Sequence, residues 1–148
     1  MRRLNNIADG FDFKELTEIE TNLLKLANSQ MPKESKKFLK KEGKNLLQET
    51  QTEAIFCGVK HKSHKYYDSI KQGKVYKYKG DNTLANRVYS TAPHAHLIEE
   101  GHVLIRNGKE IGYVKGKYVF ENAKKNFTSQ YYESCQKFID DMLEKGLG

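Results

Sequence analysis

The segment that decides the fold of this chain is residues 92–102, which have the sequence APHAHLIEEGH. It holds three of the five histidines of the chain together with two carboxylates. In a strand, His94 and His96 would point to the same side and could bind one ion. In a helix that ends at Gly101, residues two apart do not face each other. The stretch 97–101 favours the helix, so the segment is predicted to be a short helix that leads into a hairpin.

A metal site in the same segment is an alternative prediction. His94, His96 and Glu100 match the first half of a cupin metal motif, H-x-H-x3-E. Such a site takes a further histidine from a later strand, but no histidine follows His102. Two interpretations therefore remain for these residues. In one, His94, His96 and Glu100 form the site of a small metal-dependent enzyme; in the other, the histidines are polar residues at the boundary of an element and bind no metal. No metal ion or other cofactor is expected.

Helical periodicity predicts three longer elements. Apolar residues at spacings of three and four predict a first helix over residues 12–30. Pro32 is expected to break that helix and to lie in the first turn of a second one over residues 32–56, whose apolar residues are sparse. The spacing predicts a long last helix over residues 119–145. Its apolar face comprises Phe120, Ala123, Phe127, Tyr131, Cys135, Phe138 and Met142.

Two hairpins are predicted between these helices. Residues 74–79 nearly alternate between apolar and basic types, and residues 84–91 supply a second strand. Strands over 103–106 and 111–114 flank Asn107-Gly108, a strong type I′ turn pair. The predicted fold is therefore α+β. An antiparallel sheet of about four strands packs with two N-terminal helices and one long C-terminal helix. Residues 1–148 are expected to form a single domain, with residues 1–11 as a disordered tail.

The composition indicates a chain with a modest apolar core. Of its 148 residues, 37% are hydrophobic and 30% are charged, and the net charge is +7. This balance fits long solvated helices, or a subunit that buries part of its surface only on assembly. No apolar run approaches the roughly 20 residues of a membrane helix. Cys57 and Cys135 are expected to be reduced, part-buried thiols, and no phosphate-binding loop or activated nucleophile predicts an enzyme.

The stretch Lys60–Lys79 interleaves lysines with tyrosines and predicts a surface that could contact nucleic acid. Lys74, Lys77 and Lys79 are the candidates to face DNA. The competing interpretation is an ordinary hairpin whose tyrosines alternate into a core while its lysines face water. A basic nucleic-acid-binding module that uses this hairpin is the first alternative function.

The order of the motifs resembles the minor tail component family of tailed phages over roughly residues 12–145. The resemblance starts with Lys65–Ile70, continues with Pro93–His102 and a hairpin, and ends with Val119–Ala123 at the start of the last helix. Its most specific part is the pattern Ala95-His96-Leu97-Ile98-Glu99-x-Gly101-His102. The chain departs from the family at residues 62–64, where the family has Thr-Gly. It departs again at residues 115–118, which lack the usual proline.

The resemblance implies a non-enzymatic protein of the neck or tail-completion type at the virion head–tail junction, made in the host cytoplasm. Its expected partners are other connector and tail proteins, and copies of the chain are expected to form a ring. Non-specific contact with DNA in the lumen would give the basic charge a use. The residues implied in interaction or structure are His96, Leu97, Glu99, Gly101 and His102. Glu99 is expected to make an internal or inter-subunit polar contact.

Overall fold

A computed structural model of the chain describes residues 13–59 and 65–147. The predicted tail at residues 1–11 lies outside these residues, as does the beginning of the basic stretch at residues 60–64. The described chain divides into two compact units. The first comprises the described residues up to Phe38 together with those from Glu133 onward, and the second comprises Leu39–Tyr132.

The helical part of the first unit begins with α1, Phe13–Lys25, and continues through a π turn, Leu26–Gln30, into α2, Met31–Phe56. Pro32 lies in the first turn of α2, as predicted, but the predicted break is wrong, because the helical run continues from α1 through the π turn into α2. The amide of Met31 bonds to the carbonyl of Leu26, five residues back, so the hydrogen-bond register changes just before the proline. A π turn of this kind accommodates a residue that lacks an amide hydrogen without ending the helix.

Apolar side chains of α5, Val119–Leu147, complete the first unit. The rings of Phe38 and Phe138 stack with centroids 4.5 Å apart. Met142 is buried, and Leu26 packs closely on Gly146, which has no side chain to block it. The predicted apolar face of the last helix is confirmed, since its members are buried or half-buried along the helix.

The second unit contains the first hairpin, which follows the short helix α3, Lys65–Ser69. Strand β1, Ile70–Gln72, pairs antiparallel with β4, Val88–Ser90. Further along the same hairpin, β2, Tyr76–Lys77, pairs with β3, Leu84–Ala85. Between the two ladders the amide of Gly73 donates to the carbonyl of Arg87, and the side-chain amide of Asn86 donates to the carbonyl of Gly73. A side chain thus replaces ladder bonds where the pairing is interrupted.

The second hairpin follows helix α4, Ala95–Glu100, and consists of β5, Gly101–Arg106, and β6, Lys109–Lys115. Asn107 and Gly108 both have positive φ, as the predicted type I′ turn requires. The α+β class and the two antiparallel hairpins are confirmed. The described strands form three two-stranded ladders, however, and not one four-stranded sheet. Each hairpin pairs only with itself among the described strands.

The core of the second unit lies where the end of α2, the start of α5 and the first hairpin meet. Its buried members are Ala54, Val59, Tyr66, Ile70 and Val119, and Ala95 and Ile98 of α4 pack against them. Both Ala54 and Val119 are completely buried. The core is small, which agrees with the modest hydrophobic share of the sequence.

Gly43, in the middle of α2, lets the first hairpin approach the helix closely. A Cβ atom at this position would collide with the Oδ1 atom of Asn86 and with the side-chain amide of Gln72. Gln72 donates to Asn86 over 2.9 Å and to the carbonyl of Lys40 over 2.8 Å. The glycine therefore leaves room for a network of amide side chains that joins α2 to the hairpin.

We predict that Gly43→Ala lowers the free energy of unfolding by about 1–3 kcal/mol, since the added methyl group displaces this network. In an ordinary helix, Gly→Ala would raise the free energy of unfolding by up to about 1 kcal/mol. The sign of the measured change therefore tells whether the hairpin approaches the helix closely at Gly43. Urea unfolding of Gly43→Ala, Asn86→Ala and the double variant provides the test. The free energy of unfolding of the double variant should fall by less than the sum of the decreases in the two single variants. A Gly43→Ala protein that is more stable than the wild type would contradict the close approach.

Candidate functional site

The predicted short helix in residues 92–102 is confirmed as α4, and it connects the first hairpin to the second. His94 takes the position before the helix, and the amides of Leu97 and Ile98 donate to its carbonyl. Gly101 ends the helix with φ +87. The chain then passes directly into β5. Because helix end and strand start share one glycine, the direction of the second hairpin is set by α4.

Glu99 joins α4 to the beginning of α5. Its two carboxylate oxygens accept the amide hydrogen of Phe120 at 2.8 and 3.1 Å. The backbone adds two parallel contacts, in which the amides of Lys117 and Tyr118 donate to the carbonyls of Ile98 and Glu99. The first amides of a helix have no partner within it, and Glu99 supplies one from 21 residues upstream. The expected internal polar contact of Glu99 is therefore present.

The environment of Glu99 acts on its pKa in two opposing directions. Burial raises the pKa above its ordinary value, while the hydrogen bonds from the Phe120 and Glu121 amides lower it. Burial is the larger effect, so the pKa is raised. The neighbouring hydroxyl of Tyr66 is buried without a hydrogen-bond partner among the described residues. Burial and the charge of Glu99 raise the pKa of Tyr66 to about 12.

Two glycines let the chain cross itself at the base of the second hairpin. A side chain at Gly101 would collide with the carbonyl of Val114, and one at Gly116 would collide with the carbonyl of Glu99. The hydroxyl of Tyr113 donates to the carbonyl of Glu100 over 2.8 Å at the same place. The predicted structural role of Gly101 therefore has a geometric basis. Gly116 has the same role at the same place, and the sequence analysis did not identify it.

The three histidines of this segment do not form a metal-binding group in the described part of the chain. His94 and His96 are exposed, with one before α4 and the other inside it, while His102 is half-buried in β5. The Nδ1 atom of His102 is buried and has no partner within the described part of the chain. Over residues 13–59 and 65–147, no three His, Cys, Asp or Glu side chains are grouped so that they could hold a metal ion. The alternative site at His94, His96 and Glu100 therefore gains no geometric support.

A cleft of about 490 Å³ lies beside α4. Val59, Leu97, Ile98 and Val114 give it apolar walls, while His94, His102, Lys115 and Lys117 are its polar members. Leu97 thus borders this cleft, and Ile98 also packs on the core. The lining residues of the cleft thus combine apolar walls with imidazole and ammonium groups.

The second hairpin exposes apolar side chains on both of its faces. Val103 pairs across the strands with Tyr113, and Leu104 pairs with Gly112, so these pairs point to opposite sides. Val103, Leu104 and Tyr113 are all exposed, and Ile105 and Ile111 have 70% and 59% of their surface in solvent. A group of exposed apolar residues on one hairpin is typical of a surface that contacts a partner.

The first hairpin has an aromatic and basic surface. The predicted DNA-facing residues Lys74, Lys77 and Lys79 are exposed. Tyr76 and Tyr78 are exposed by 39% and 55%, so the interpretation in which the tyrosines alternate into a core is wrong. The helices α2 and α5 supply the apolar partners of the core instead. The guanidinium of Arg87 lies 5.9 and 5.3 Å from the ring centroids of Tyr76 and Tyr89, within cation–π range.

Glu42 belongs to a second candidate site that the sequence reasoning missed. It lies on α2 in a groove of about 290 Å³, and only 5% of its surface is exposed. Its Oε2 atom is buried and has no hydrogen-bond partner among the residues described. The one sequence signal was an acid followed by Gly43 in the middle of a helix, which marks a close approach.

Cys57 and Cys135 are free, half-buried thiols, as predicted. The thiol of Cys57 donates to Glu53 over 3.2 Å, and the other carboxylate oxygen of Glu53 accepts from Asn126 over 3.1 Å. Burial and the hydrogen bond to Glu53 raise the pKa of Cys57. A raised pKa keeps the sulfur protonated and poorly nucleophilic.

No protein-family model, curated protein sequence or solved structure matches this chain. Within the described helices, none is both long enough and apolar enough to cross a lipid bilayer.

We predict that Glu99→Ala lowers the free energy of unfolding by about 1–2 kcal/mol, because the Phe120 amide loses its partner. Glu99→Gln keeps an oxygen for that amide and is the matched control. It should retain most of the stability at neutral pH. Thermal or urea unfolding of both variants provides the measurement, and equal losses in the two would contradict the capping role.

The two proteins should also differ in their dependence on pH. The pKa of Glu99 is raised in the folded state, so proton binding by Glu99 contributes to the free energy of unfolding. This contribution is fully present below the unfolded-state pKa and is lost as the pH rises through the folded-state pKa. Gln does not titrate. The stability of Glu99→Gln relative to the wild type should therefore increase from about pH 4 to about pH 7. A relative decrease over that range would contradict the dominance of burial.

Proposed function

We propose that this chain is a structural subunit of a phage or prophage virion, which acts at the head–tail junction as a neck or tail-completion protein. It works by contacts with copies of itself and with neighbouring connector and tail proteins, and it catalyses no reaction. The resemblance of residues 92–102 and of the flanking elements to the minor tail component family suggests this role.

The observation that carries the proposal is the exposed second hairpin. An isolated two-stranded hairpin is marginally stable in water, and this one leaves both apolar faces and both strand edges open. Its base is nevertheless fixed by the α4–α5 contacts of Glu99 and by the Tyr113 hydroxyl. A hairpin with a fixed base and an apolar outer part is suited to insert between neighbouring subunits.

Other exposed apolar residues support an assembly role. The first unit exposes Leu23, Leu24, Ile139 and Leu143 on its helices. A subunit whose core is completed by neighbours would cover such residues on assembly, which also agrees with its small core. The charge of +7 would suit the wall of a channel through which DNA passes.

The proposal is tested in the phage or prophage that encodes the chain. Deleting the gene should give particles in which heads and tails are not joined or tails are incomplete, as seen by negative-stain electron microscopy. Complementation with Ile111→Ser should fail. Complementation with Ile55→Ser should succeed, because Ile55 is exposed to the same 59% but lies on α2, outside the hairpin. Normally joined virions in the deletion strain would overturn the proposal.

Nucleic-acid binding by the first hairpin is the second candidate function, and the exposed tyrosines favour it. Lys74, Lys77 and Lys79 can neutralise phosphates, while Tyr76 and Tyr78 can stack on unpaired bases. This surface would also serve a subunit that lines a DNA channel.

For this surface we predict binding to single-stranded DNA with a Kd on the order of micromolar that weakens as salt is raised. The double variant Tyr76→Ala, Tyr78→Ala should bind at least about tenfold more weakly, since each lost stack costs about 1–3 kcal/mol. Tyr132→Ala is the control, because Tyr132 is an exposed tyrosine on α5. Fluorescence anisotropy at two salt concentrations measures the effect. Binding that is insensitive to salt or to the double variant would exclude this surface.

A further inference from the structure

The groove that contains Glu42 lies between α2 and α5 of the second unit. Leu39, Leu46, Phe127 and Tyr131 give it apolar walls, and Gly43, Asn86, Lys124, Thr128 and Tyr132 complete its lining. Glu42 is 95% buried by its neighbours, since only 5% of its surface remains exposed. The groove therefore combines an apolar lining with one buried acid.

The Oε2 atom of Glu42 is removed from solvent and has no hydrogen-bond partner among the described residues. Oε2 accepts no hydrogen bond from the described residues, and none of the ion pairs found among them includes Glu42. A carboxylate in such a position is costly unless a cation or a hydrogen-bond donor reaches it. The group that completes the groove should thus be cationic at its end and apolar along its sides.

The tip of the second hairpin has this chemistry. Arg106 and Lys109 pair directly across the strands and flank the two-residue turn. Behind them, Ile105 pairs with the exposed Glu110, and Ile111 follows Glu110 in β6. Ile105 and Ile111 are among the most exposed apolar residues of the unit. The tip therefore carries two cations beside its turn, one acid behind Lys109 and two exposed isoleucines, which leaves it with a net positive charge.

We propose that the Glu42 groove of one copy of this chain receives the β5–β6 hairpin tip of a second copy. The guanidinium of Arg106 then pairs with the carboxylate of Glu42, while Ile105 and Ile111 cover the apolar walls. Arginine suits this position because its planar group can donate two parallel hydrogen bonds to one carboxylate. The inference rests on the proposed function, whose ring-forming contact it identifies.

The two surfaces are different, and this determines the kind of assembly. A tip on one copy and a groove on the next make a head-to-tail contact, which leaves a free tip at one end and a free groove at the other. Such contacts propagate and close into a ring when the rotation between subunits permits. A symmetric dimer, in contrast, would use the same patch on both copies. This difference can be measured with mixtures of variants.

The test is sedimentation velocity of the purified full chain over a range of concentrations. Wild-type protein should associate as concentration rises, and Arg106→Glu should weaken the association at least about tenfold. Lys71→Glu is the control, because it reverses the charge of an exposed residue in β1 that lines neither the groove nor the cleft beside α4. On the groove side, Glu42→Gln should weaken association, and Thr128→Lys should do so by placing a cation at an exposed part of the lining. Thr128→Lys does not alter a buried position, so it separates loss of contact from loss of folding.

Mixing supplies the decisive result. Arg106→Glu retains a working groove and Thr128→Lys retains a working tip, so a mixture of the two should form one-to-one heterodimers and nothing larger. Wild-type protein that stays monomeric throughout would overturn the inference, as would association unchanged by Arg106→Glu or a mixture without heterodimers. The proposed function fails separately, if a strain lacking the gene still joins heads to tails.

Discussion

The hydrogen bond between the carboxylate of Glu99 and the amide of Phe120 is the contact on which the rest of the second unit depends. Helix α5 begins after Lys117 and Tyr118, neither of which can cap it as a serine or aspartate would. The acid comes instead from α4, before the second hairpin. One side chain therefore closes the loop of chain that contains the whole hairpin. This closure leaves the carboxyl group of Glu99 half-buried, and burial raises its pKa.

The geometry of the second hairpin follows from that closure. Both of its ends are held where Gly101 and Gly116 bring the backbone segments into contact, and no side chain could be accommodated there. The tip, by contrast, has apolar residues on two faces and no cover. A fixed base and an uncovered tip together favour a role in contact between subunits, as in the proposed virion component. His94 and His102 of the same segment border one cleft, but no third ligand joins them among the described residues, so the spacing of the histidines alone does not make a metal site.

The small core and the exposed surfaces have a common explanation. Apolar residues are few, and several of the largest lie on the hairpin and on the outer faces of helices. The same unit buries Glu42 in an apolar groove with one oxygen unpaired. Each feature is unfavourable in an isolated subunit. Both are relieved if a cationic, apolar tip occupies the groove of a neighbour, so complementary surfaces on one chain account for both.

The sequence by itself determined those features that depend on neighbours along the chain. Periodicity was sufficient for the apolar face of α5, and Asn107-Gly108 was sufficient for the turn of the second hairpin, because spacing and turn chemistry act locally. Only the tertiary structure decided that Glu99 meets Phe120, that Gly43 admits Asn86, and that the tyrosines of the first hairpin remain in solvent. It also decided that the helix passes through Pro32 and that the hairpins pair separately. These outcomes depend on which distant surfaces pack together, and no local pattern of residues specifies that choice.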